Sequence, residues 1–450
     1  MTSGVIQQRS GPELRQALAE LSRQLSVGAG IVSPASLELT RKVFGKPLQP
    51  GEVVKRILKD VRERGDEAVR EYTLKLQGAD LDPSRFRVSE EEMAKARAEA
   101  PAALMDAVAK AAENVRAYQS HFLPPPVPAF EPRPGVRLDM RVRPLDRVGM
   151  CIPGGKAPYP SSIVMIAVPA QVAGVPRICM ITPCGRDGAA PGAALATAWE
   201  LGVREVYRVG GAHGVAALAY GTQSIPRVDK IAGPGNIYVA LAKREVYGVV
   251  DIDMVAGPSE ILIVADDSAD PVFCAADLLS QAEHDPAACV LLTPCARLAQ
   301  DVAAEVAKQL TRLSRAGAAG ECVRRYGLIG VTESLDECVE LADSFAPEHL
   351  EVMTRDAESL AGRFANYGCV FVGPWSTEPA GDYVAGPSHV LPTGGTSRFF
   401  SALSAHDFLK RSSVVHFSRQ ALLDAAPAIR EIALAEGFDA HANAAMTRTR

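Results

Sequence analysis

The stretch EVYRVGGAHGVAALAYG, residues 205–221, contains a short apolar strand, a glycine turn and an apolar helix in direct succession. The same order recurs on both sides of it. RICMITPC at 177–184 precedes the helical segment GAALATAWELG, and DKIAGPG at 229–235 precedes NIYVALAKREVYG. Strands that alternate with helices at this pace are typical of parallel βαβ units. The stretch therefore predicts a parallel sheet covered by helices.

A second series of short apolar runs follows between residues 259 and 373. These runs are rich in β-branched residues and are separated by segments with helical periodicity. The predicted strands are SEILIVAD, CVLLTP, YGLIGVTE, HLEVMT and CVFVG. Two such series predict an α/β fold with two doubly wound, Rossmann-like parallel-sheet domains.

The segments outside the two series set the expected domain boundaries. Residues 1–135 are charged and mainly helical by periodicity, end in the Pro-rich connector LPPPVPAFEPRPG, and are expected to pack on the second sheet domain. The first Rossmann-like domain is predicted at 136–252 and the second at 253–375. Residues 376–450 combine a long loop rich in Gly, Pro, Ser and Thr with a final helix, which predicts a C-terminal loop and arm.

The composition of the 450-residue chain argues against several classes of protein. Hydrophobic residues make up 47% and charged residues 22%, and the net charge of −5 is spread without a basic stripe, so we expect no nucleic-acid partner. No signal-peptide core and no run of about 18 apolar residues occurs, so no membrane partner is expected. Nine cysteines without a CxxC pair indicate reduced thiols and a cytoplasmic location.

Glycine turns stand where several predicted strands should end. They read IPGG, VGG, AGPGN and AGPSE. In an open α/β sheet, ligands bind at the edge where the strands end, and glycine allows the backbone to approach them closely. No G-x-G-x-x-G fingerprint is present, so a nucleotide site and simple turn chemistry both remain open.

The segment SQAEHDP at 280–286 places an amide and an imidazole three residues apart. Gln281 and His284 would share one face of a helix near its C-terminal end. Either His284 caps its own helix or the pair faces a ligand. The spacing alone favours the cap. Glutamine is also an infrequent zinc ligand, so the residue types do not by themselves single out Gln281 as one.

Other acids and imidazoles lie near predicted strand ends or in loops. Glu348 and His349 stand side by side just before a strand. There they could act as acid and base at the ligand-binding edge, or be a loop acid and a half-buried imidazole. The remaining candidates, in the long loop and the tail, are Asp382, His389, Glu436, Asp439 and His441. A zinc site would need three or four such donors to converge.

Six motifs occur in one order along nearly the whole chain: VDKIAGPGNIYVALAKREVYG, DMVAGPSEILIVAD, DLLSQAEHDP, SFAPEHLE, GDYVAGPSHVLPTGGTSRF and AEGFDAHANA. Together they resemble the histidinol dehydrogenase family. The resemblance implies a four-electron, NAD-dependent alcohol dehydrogenase with one Zn²⁺ per subunit. Its substrate would be L-histidinol, oxidised through L-histidinal to L-histidine with two NAD in the last step of L-histidine biosynthesis. It also implies a homodimer whose C-terminal arm reaches into the partner's active site.

The resemblance also implies a role for individual residues. The catalytic acid–base residues fall on Glu348 and His349. The zinc ligands fall on Gln281, His284, Asp382 and His441. The substrate contacts fall on Ser259, Gln281, His284, His349, Asp382, Glu436 and His441. The first sheet domain would then be the NAD side, and the second would carry the zinc and catalytic residues.

Three positions are implied to contact the cofactor. Asn236 matches the family, whereas Cys151 stands where the family usually has Tyr and His213 where it usually has Gln.

The reaction needs a base for the alcohol proton. An imidazole with a pKa near neutrality suits removal of that proton, so His349 is expected to be the base. Glu348 would take a proton from the water that attacks the aldehyde. No cysteine falls at a catalytic position, so no thioester route is implied.

Three alternatives remain open at this stage. The chain could oxidise another small alcohol, such as a sulfonated diol, although GPSHVLPTGGTSRF and Glu436 favour histidinol. It could be a zinc hydrolase in which Gln, His, Asp and His hold a metal that activates water, although the glycine turns favour a dinucleotide. It could be a non-catalytic binding protein with the same fold, although the pair Glu348–His349 favours catalysis.

Overall fold

The fold is given by a computed structural model that describes residues 5–26, 34–125, 127–154, 158–284 and 286–449. The strands are β1 (Gln7–Ser10), β2 (Phe130–Arg133), β3 (Val136–Pro144), β4 (Arg147–Cys151), β5 (Arg177–Ile181), β6 (Glu205–Tyr207), β7 (Lys230–Ala232), β8 (Asp251–Ile252), β9 (Ser259–Ala265), β10 (Ala287–Thr293), β11 (Gly327–Val331), β12 (His349–Met353), β13 (Cys369–Val372) and β14 (Leu409–Phe417). The α-helices are α1 (Gly11–Leu25), α2 (Pro34–Phe44), α3 (Pro50–Arg64), α4 (Asp66–Gln77), α5 (Glu90–Glu99), α6 (Ala102–Phe122), α7 (Pro160–Val172), α8 (Gly192–Glu200), α9 (Gly211–Tyr220), α10 (Ile237–Val246), α11 (Pro271–Ala282), α12 (Ala296–Leu310), α13 (Ala316–Tyr326), α14 (Leu335–Phe345), α15 (Ala357–Ala361), α16 (Glu378–Tyr383), α17 (Arg419–Ala435) and α18 (Asp439–Met446).

The first parallel sheet has the strand order β6-β5-β4-β7-β8, and all its neighbouring strands run parallel. The order changes direction between β4 and β7. At such a switch the chain leaves adjacent strands toward opposite sides, which opens a crevice at the carboxyl edge of the sheet. The turns at 152–154 and 233–236 follow β4 and β7 and therefore lie at this crevice.

The second parallel sheet has the order β1-β11-β10-β9-β12-β13 and changes direction between β9 and β12. Its central strands β9 and β10 are buried almost throughout, as expected for a parallel sheet covered by helices on both faces. The predicted fold class, with two doubly wound parallel sheets, is confirmed.

The N-terminal helices divide between the two sheets. β1 adds to the edge of the second sheet, and α1 packs on that sheet through Leu14, Leu18 and Leu25. In contrast, α3 and α4 pack on α9 and α10 and share the core of the first sheet through Ile57 and Tyr72. The expected packing of the whole N-terminal region on the second sheet is therefore wrong for α3 and α4. An amphipathic stripe shows that a helix has a buried face but not which partner covers it.

The chain forms two compact units, one made of Met1–His121 and Asp146–Phe408 and the other of Phe122–Leu145 and Leu409–Arg450. Both parallel sheets belong to the first unit. The second unit contains the antiparallel sheet β14-β3-β2 with α17 and α18. The segment predicted as one C-terminal loop and arm thus contributes to both units. None of the helices in the described ranges has the length and apolar composition needed to cross a bilayer.

The connection at 253–258 determines which edges of the sheets carry the site. It leaves β8 at the carboxyl edge of the first sheet and enters β9 at the amino edge of the second. Ser259 begins β9 and His349 begins β12, so these residues lie at the amino edge. AGPSE therefore follows β8, as expected, but also leads into β9, and Glu348 and His349 directly precede β12, as expected. On the second sheet these segments lie at the amino edge, whereas ligands in such sheets usually bind at the carboxyl edge.

Candidate active site

A cleft of about 620 Å³ lies between the carboxyl edge of the first sheet and the amino edge of the second. The wall on the first sheet consists of the turns at 152–154, 210–211 and 233–236. The opposite wall carries the polar side chains of Ser259, His284, Glu348, His349, Asp382 and His389. Most of the side chains singled out from the sequence therefore meet in one place.

Three helices begin at the wall formed by the first sheet. Ser161, Gly211 and Ile237, from the first turns of α7, α9 and α10, all line the cleft. Asn236 caps α10, since its Oδ1 accepts hydrogen bonds from two backbone N–H groups at 3.0 and 3.2 Å. Helix N-termini carry partial positive charge and unpaired N–H groups. This half of the cleft therefore suits an anionic group such as a pyrophosphate.

The wall formed by the second sheet receives the end of a helix instead. Gln281 lies in the last turn of α11, and His284 lies just beyond it. The C-terminus of a helix carries partial negative charge, which favours cations. His284, Glu378 and Asp382 each place a ligand atom within 4.8 Å of the others. This half of the cleft therefore suits a metal cation.

The side chain of Gln281 supports the same conclusion. It is fully buried, and neither Oε1 nor Nε2 has a hydrogen-bond partner among the residues that the structure describes. A buried polar group without a partner costs about 1–3 kcal/mol and is therefore uncommon. A ligand that contacts the amide would remove that cost. The imidazole of His284 and the carboxylates of Glu378 and Asp382 are nitrogen and oxygen donors, which fit zinc, and the Gln281 amide lies three residues before His284.

Glu378 was not identified from the sequence. It is 1% exposed, and its Oε2 accepts a hydrogen bond from the hydroxyl of Ser280 at 2.9 Å. Burial first, and the neighbouring Asp382 second, raise the pKa of Glu378 to about 8. Glu378 and Asp382 are four residues apart in α16 and so share one face of that helix. This spacing was the available signal, but the Gly- and Pro-rich segment was interpreted as a loop.

Glu348 and His349 are buried where β12 begins, with 6% and 3% of their surfaces exposed. The Nδ1 of His349 donates a hydrogen bond to the carbonyl oxygen of Glu260 at 3.0 Å, and its Nε2 lies 3.6 Å from Oδ1 of Asp382. The Oε2 of Glu348 accepts from the backbone N–H of Glu260 at 2.9 Å. Within the described part of the chain, Nε2 of His349 has no hydrogen-bond partner. It is therefore the ring nitrogen left for proton exchange in the cleft.

The charges around this pair shift its pKa values strongly. Burial raises the pKa of Glu348 to about 7. Burial disfavours the charged form of His349, but the carboxylates of Glu348 and Asp382 outweigh it and raise the pKa of His349 to about 10. Burial likewise opposes ionisation of Asp382, yet His349 and His389 lower its pKa to about 2. The near-neutral pKa expected for His349 is therefore found at Glu348 instead, because two carboxylates flank the imidazole.

Glu260 lies behind the pair and connects it to the long loop. Its Oε2 accepts from the backbone N–H of Glu348 at 3.3 Å, and its Oε1 accepts from that of Gly394 at 3.1 Å. Burial, reinforced by the Glu348 carboxylate, raises the pKa of Glu260 to about 8. The adjacent Ser259 lines the cleft, and its role as a substrate contact stays a prediction. Glu260 is a second buried acid that the sequence did not single out, since it lies within an apolar strand.

The two substituted cofactor positions occupy different surroundings. Cys151 ends β4, lines the cleft and is 4% exposed, and burial raises the pKa of its thiol to about 12. His213 is 1% exposed, and its Nε2 lies 3.3 Å from Thr73 Oγ1 and 3.1 Å from Gln77 Nε2. The expected contact of His213 with the cofactor is therefore not made from this position. Its side chain leaves α9 toward α4, away from the cleft.

Glu436 and His441 belong to the second compact unit. Glu436 ends α17, and His441 lies in the first turn of α18 with its ring 5.1 Å from that of Phe438. Both side chains are exposed. Their roles as substrate contact and metal ligand stay predictions.

Fold and cleft together define a class: a doubly wound α/β protein whose cleft offers helix N-termini on one side and a cation-binding acid–base cluster on the other. Comparisons with known proteins narrow this class. The family model described as histidinol dehydrogenase matches residues 46–449. Histidinol dehydrogenase from Rhodopirellula baltica is 47% identical over 440 residues, which cover 98% of this chain and 95% of that protein. Histidinol dehydrogenase from Bacillus subtilis is 46% identical over 415 residues, covering 92% and 96%.

A solved structure agrees with these relatives. The crystal structure of histidinol dehydrogenase from Elizabethkingia anophelis superposes with a TM-score of 0.87 at 33% identity and covers 100% of this chain and 99% of that one. The chain belongs to the histidinol dehydrogenase family. It is accordingly an oxidoreductase of histidine biosynthesis.

Proposed function

We propose that this protein oxidises L-histidinol through L-histidinal to L-histidine, using two NAD and a zinc ion. The observation that carries the proposal is the group His284, Glu378 and Asp382, whose ligand atoms lie within 4.8 Å of one another, at the cleft that also holds the buried pair Glu348–His349. The buried, unpartnered amide of Gln281, three residues before His284, adds to it. The reaction needs a cation-binding site, a proton acceptor and a dinucleotide site. The cleft offers residues suited to each of them.

Gln281, His284 and Asp382 would hold the zinc ion, with His441 as a fourth ligand. When bound, zinc would orient the imidazole and amine nitrogens of the substrate and offset the charge of Asp382, one of the two carboxylates that raise the pKa of His349. Ser259 and Glu436 would add hydrogen bonds or an ion pair to the substrate. These contacts would fix the carbinol carbon relative to the acid–base pair.

NAD would lie at the wall formed by the first sheet, where it supplies the acceptor for each hydride. The backbone N–H groups at the starts of α7, α9 and α10 suit its pyrophosphate. Asn236 uses Oδ1 to cap α10, so its amide NH₂ group remains to donate to the dinucleotide. Cys151 would contact the cofactor as a neutral thiol, because burial raises the pKa of that thiol to about 12.

His349 would act through Nε2. Its Nδ1 is held by the carbonyl oxygen of Glu260, which fixes both the ring and its tautomer. In the first half-reaction, Nε2 takes the hydroxyl proton while the carbinol carbon loses a hydride and becomes the aldehyde carbon. In the second, water adds to the aldehyde and Glu348 takes one proton from that water. The same carbon then loses the second hydride to a second NAD, and His349 Nε2 takes the remaining hydroxyl proton, which leaves the carboxylate.

The exposed apolar side chains of the second unit support assembly into a homodimer. Phe130, Met140, Val142, Val415, Ile432 and Phe438 are all exposed there. Exposed large apolar side chains in this number are common at protein interfaces. We propose that a second copy of the chain covers these side chains, with Glu436 and His441 serving the partner's site.

The cysteines support a cytoplasmic location. All nine are free thiols, which fits a reducing cytoplasm.

Half-reaction kinetics test the acid–base roles. His349→Asn should slow both histidinol and histidinal oxidation by about a hundredfold or more, whereas Glu348→Gln should mainly slow histidinal oxidation. His213→Gln is the matched control, because it replaces a buried imidazole outside the cleft. Unchanged histidinal oxidation in Glu348→Gln would refute the role given to Glu348. Full histidinol oxidation in His349→Asn would refute the proposed base.

A further inference from the structure

We propose that the buried ion pair Lys243–Asp253 is a positioning device for the dinucleotide, because it fixes the glycine turn that begins at Gly233. The inference rests on the proposed use of NAD. Neither residue belongs to the acid–base pair or to the metal-binding cluster. Both nevertheless line the cleft, on the wall formed by the first sheet.

The pair holds both polar groups of a single glycine. The ammonium of Lys243 donates a hydrogen bond to the carbonyl oxygen of Gly233 at 2.9 Å. The Oδ2 of Asp253 accepts from the backbone N–H of the same glycine at 2.7 Å. Lys243 Nζ and Asp253 Oδ1 are ion-paired, so the two side chains and the glycine form one closed unit.

The conformation of Gly233 explains why such a unit is needed. Its φ is +120°, which side-chain-bearing residues rarely adopt, and a Cβ there would come within 2.3 Å of the carbonyl oxygen of Cys151. The turn therefore passes very close to the end of β4, at the switch point of the first sheet. Three residues later, Asn236 caps α10. A shift at Gly233 would displace both Asn236 and the first turn of α10.

The burial of the pair indicates a role beyond simple stability. The side chains of Lys243 and Asp253 are 2% and 0% exposed. Buried ion pairs are weak contributors to stability, since desolvation offsets their attraction, but they can fix one conformation among several. The conformation fixed here is that of the backbone facing the pyrophosphate half of the cleft. We therefore assign Lys243 and Asp253 as positioning residues and not as catalytic ones.

The same sheet contains a matched control. Lys230 of β7 pairs with Asp251 of β8 at 2.9 Å, and its side chain is 7% exposed. Neither residue of this second pair lines the cleft. Replacing Lys230 thus removes a buried lysine of a Lys–Asp pair without touching the glycine turn.

NADH binding to the zinc-loaded protein, followed by NADH fluorescence, tests the assignment. Lys243→Met and the milder Asp253→Asn should each raise the Kd for NADH by about tenfold or more. Either change would displace the backbone N–H groups at 233–236 and at the start of α10 that face the pyrophosphate. Zinc content and the KM for histidinol should stay at the parent values, while the KM for NAD rises. Lys230→Met should leave the Kd for NADH unchanged.

Two results would overturn the assignment. One is a Kd for NADH within about twofold of the parent value in both Lys243→Met and Asp253→Asn, since a lost alignment should exceed that change. The other is an equal rise in Lys230→Met, which would show a general loss of rigidity. Failure of the parent protein itself to bind NADH would instead refute the proposed function, and the inference with it. The two failures are therefore distinguishable.

Discussion

His213 should make the folded protein sensitive to mild acid. Its imidazole is 1% exposed, and within the described residues its Nδ1 has no hydrogen-bond partner. Burial lowers the pKa of His213 to about 3. In the unfolded chain the imidazole would titrate with an ordinary pKa of about 6.5. The folded state therefore resists a proton that the unfolded state accepts.

The sign and size of the effect follow from proton linkage. Between pH 6.5 and about 3 the unfolded state binds more protons, so the contribution to stability is complete above pH 6.5 and is lost as the pH falls. Each unit of pKa difference corresponds to about 1.4 kcal/mol. Acidification to pH 5 should therefore lower the free energy of unfolding by about 2 kcal/mol through His213 alone. This figure holds for any folded pKa well below 5.

His213→Gln should remove this loss. A glutamine amide can hydrogen-bond to Thr73 and Gln77, which now contact the ring, so stability at pH 7 should change little. Urea unfolding of parent and variant at pH 7 and pH 5, at one protein concentration, gives the comparison. At pH 5 the free energy of unfolding of the variant should exceed that of the parent by about 2 kcal/mol. The exposed His416→Gln is the control, and an equal gain there, or no gain in His213→Gln, would refute the reasoning.

Three further predictions concern the cleft and the arm. Gln281→Ala should lower zinc affinity by about tenfold or more, while the buried control Gln119→Ala should not, and equal affinities would remove Gln281 from the ligand set. Mixing His441→Ala with His284→Ala should restore activity through hybrid dimers that carry one intact site, and no recovery would count against arm exchange. Cys151→Tyr should tighten NADH binding by adding an aromatic face to the cleft wall, and an unchanged Kd would show that the position is neutral.

The sheet architecture was predictable because it depends on local patterns. Strand–turn–helix units such as 205–221 indicate parallel pairing by themselves, and the structure contains both expected sheets. The packing partner of α3 and α4 was not predictable, since a helical stripe does not name the surface that covers it. The position of His349 just before a strand was predicted correctly. That the amino edge of the second sheet forms a wall of the cleft was not, since the known ligand-binding rule for such sheets concerns the carboxyl edge.

The site was predictable only in part from local spacing. Gln281 and His284 were correctly placed at the end of one helix, but spacing alone could not show that the amide is buried without a partner. Glu260 was missed because its importance arises from burial beside residues distant in sequence, and Glu378 because its Gly- and Pro-rich segment was interpreted as a loop. His213 shows the opposite error, since a position matched to a cofactor contact proved to be packed against a neighbouring helix.

The most direct test of the account is the number of NADH molecules formed per histidinol. Purified, zinc-loaded protein is mixed with limiting L-histidinol and excess NAD, and NADH absorbance is followed to completion. The account predicts two NADH per histidinol, with histidine as the product. A single NADH with accumulated aldehyde would contradict the four-electron reaction, and a hydrolysis product without NADH would contradict the assignment as a dehydrogenase.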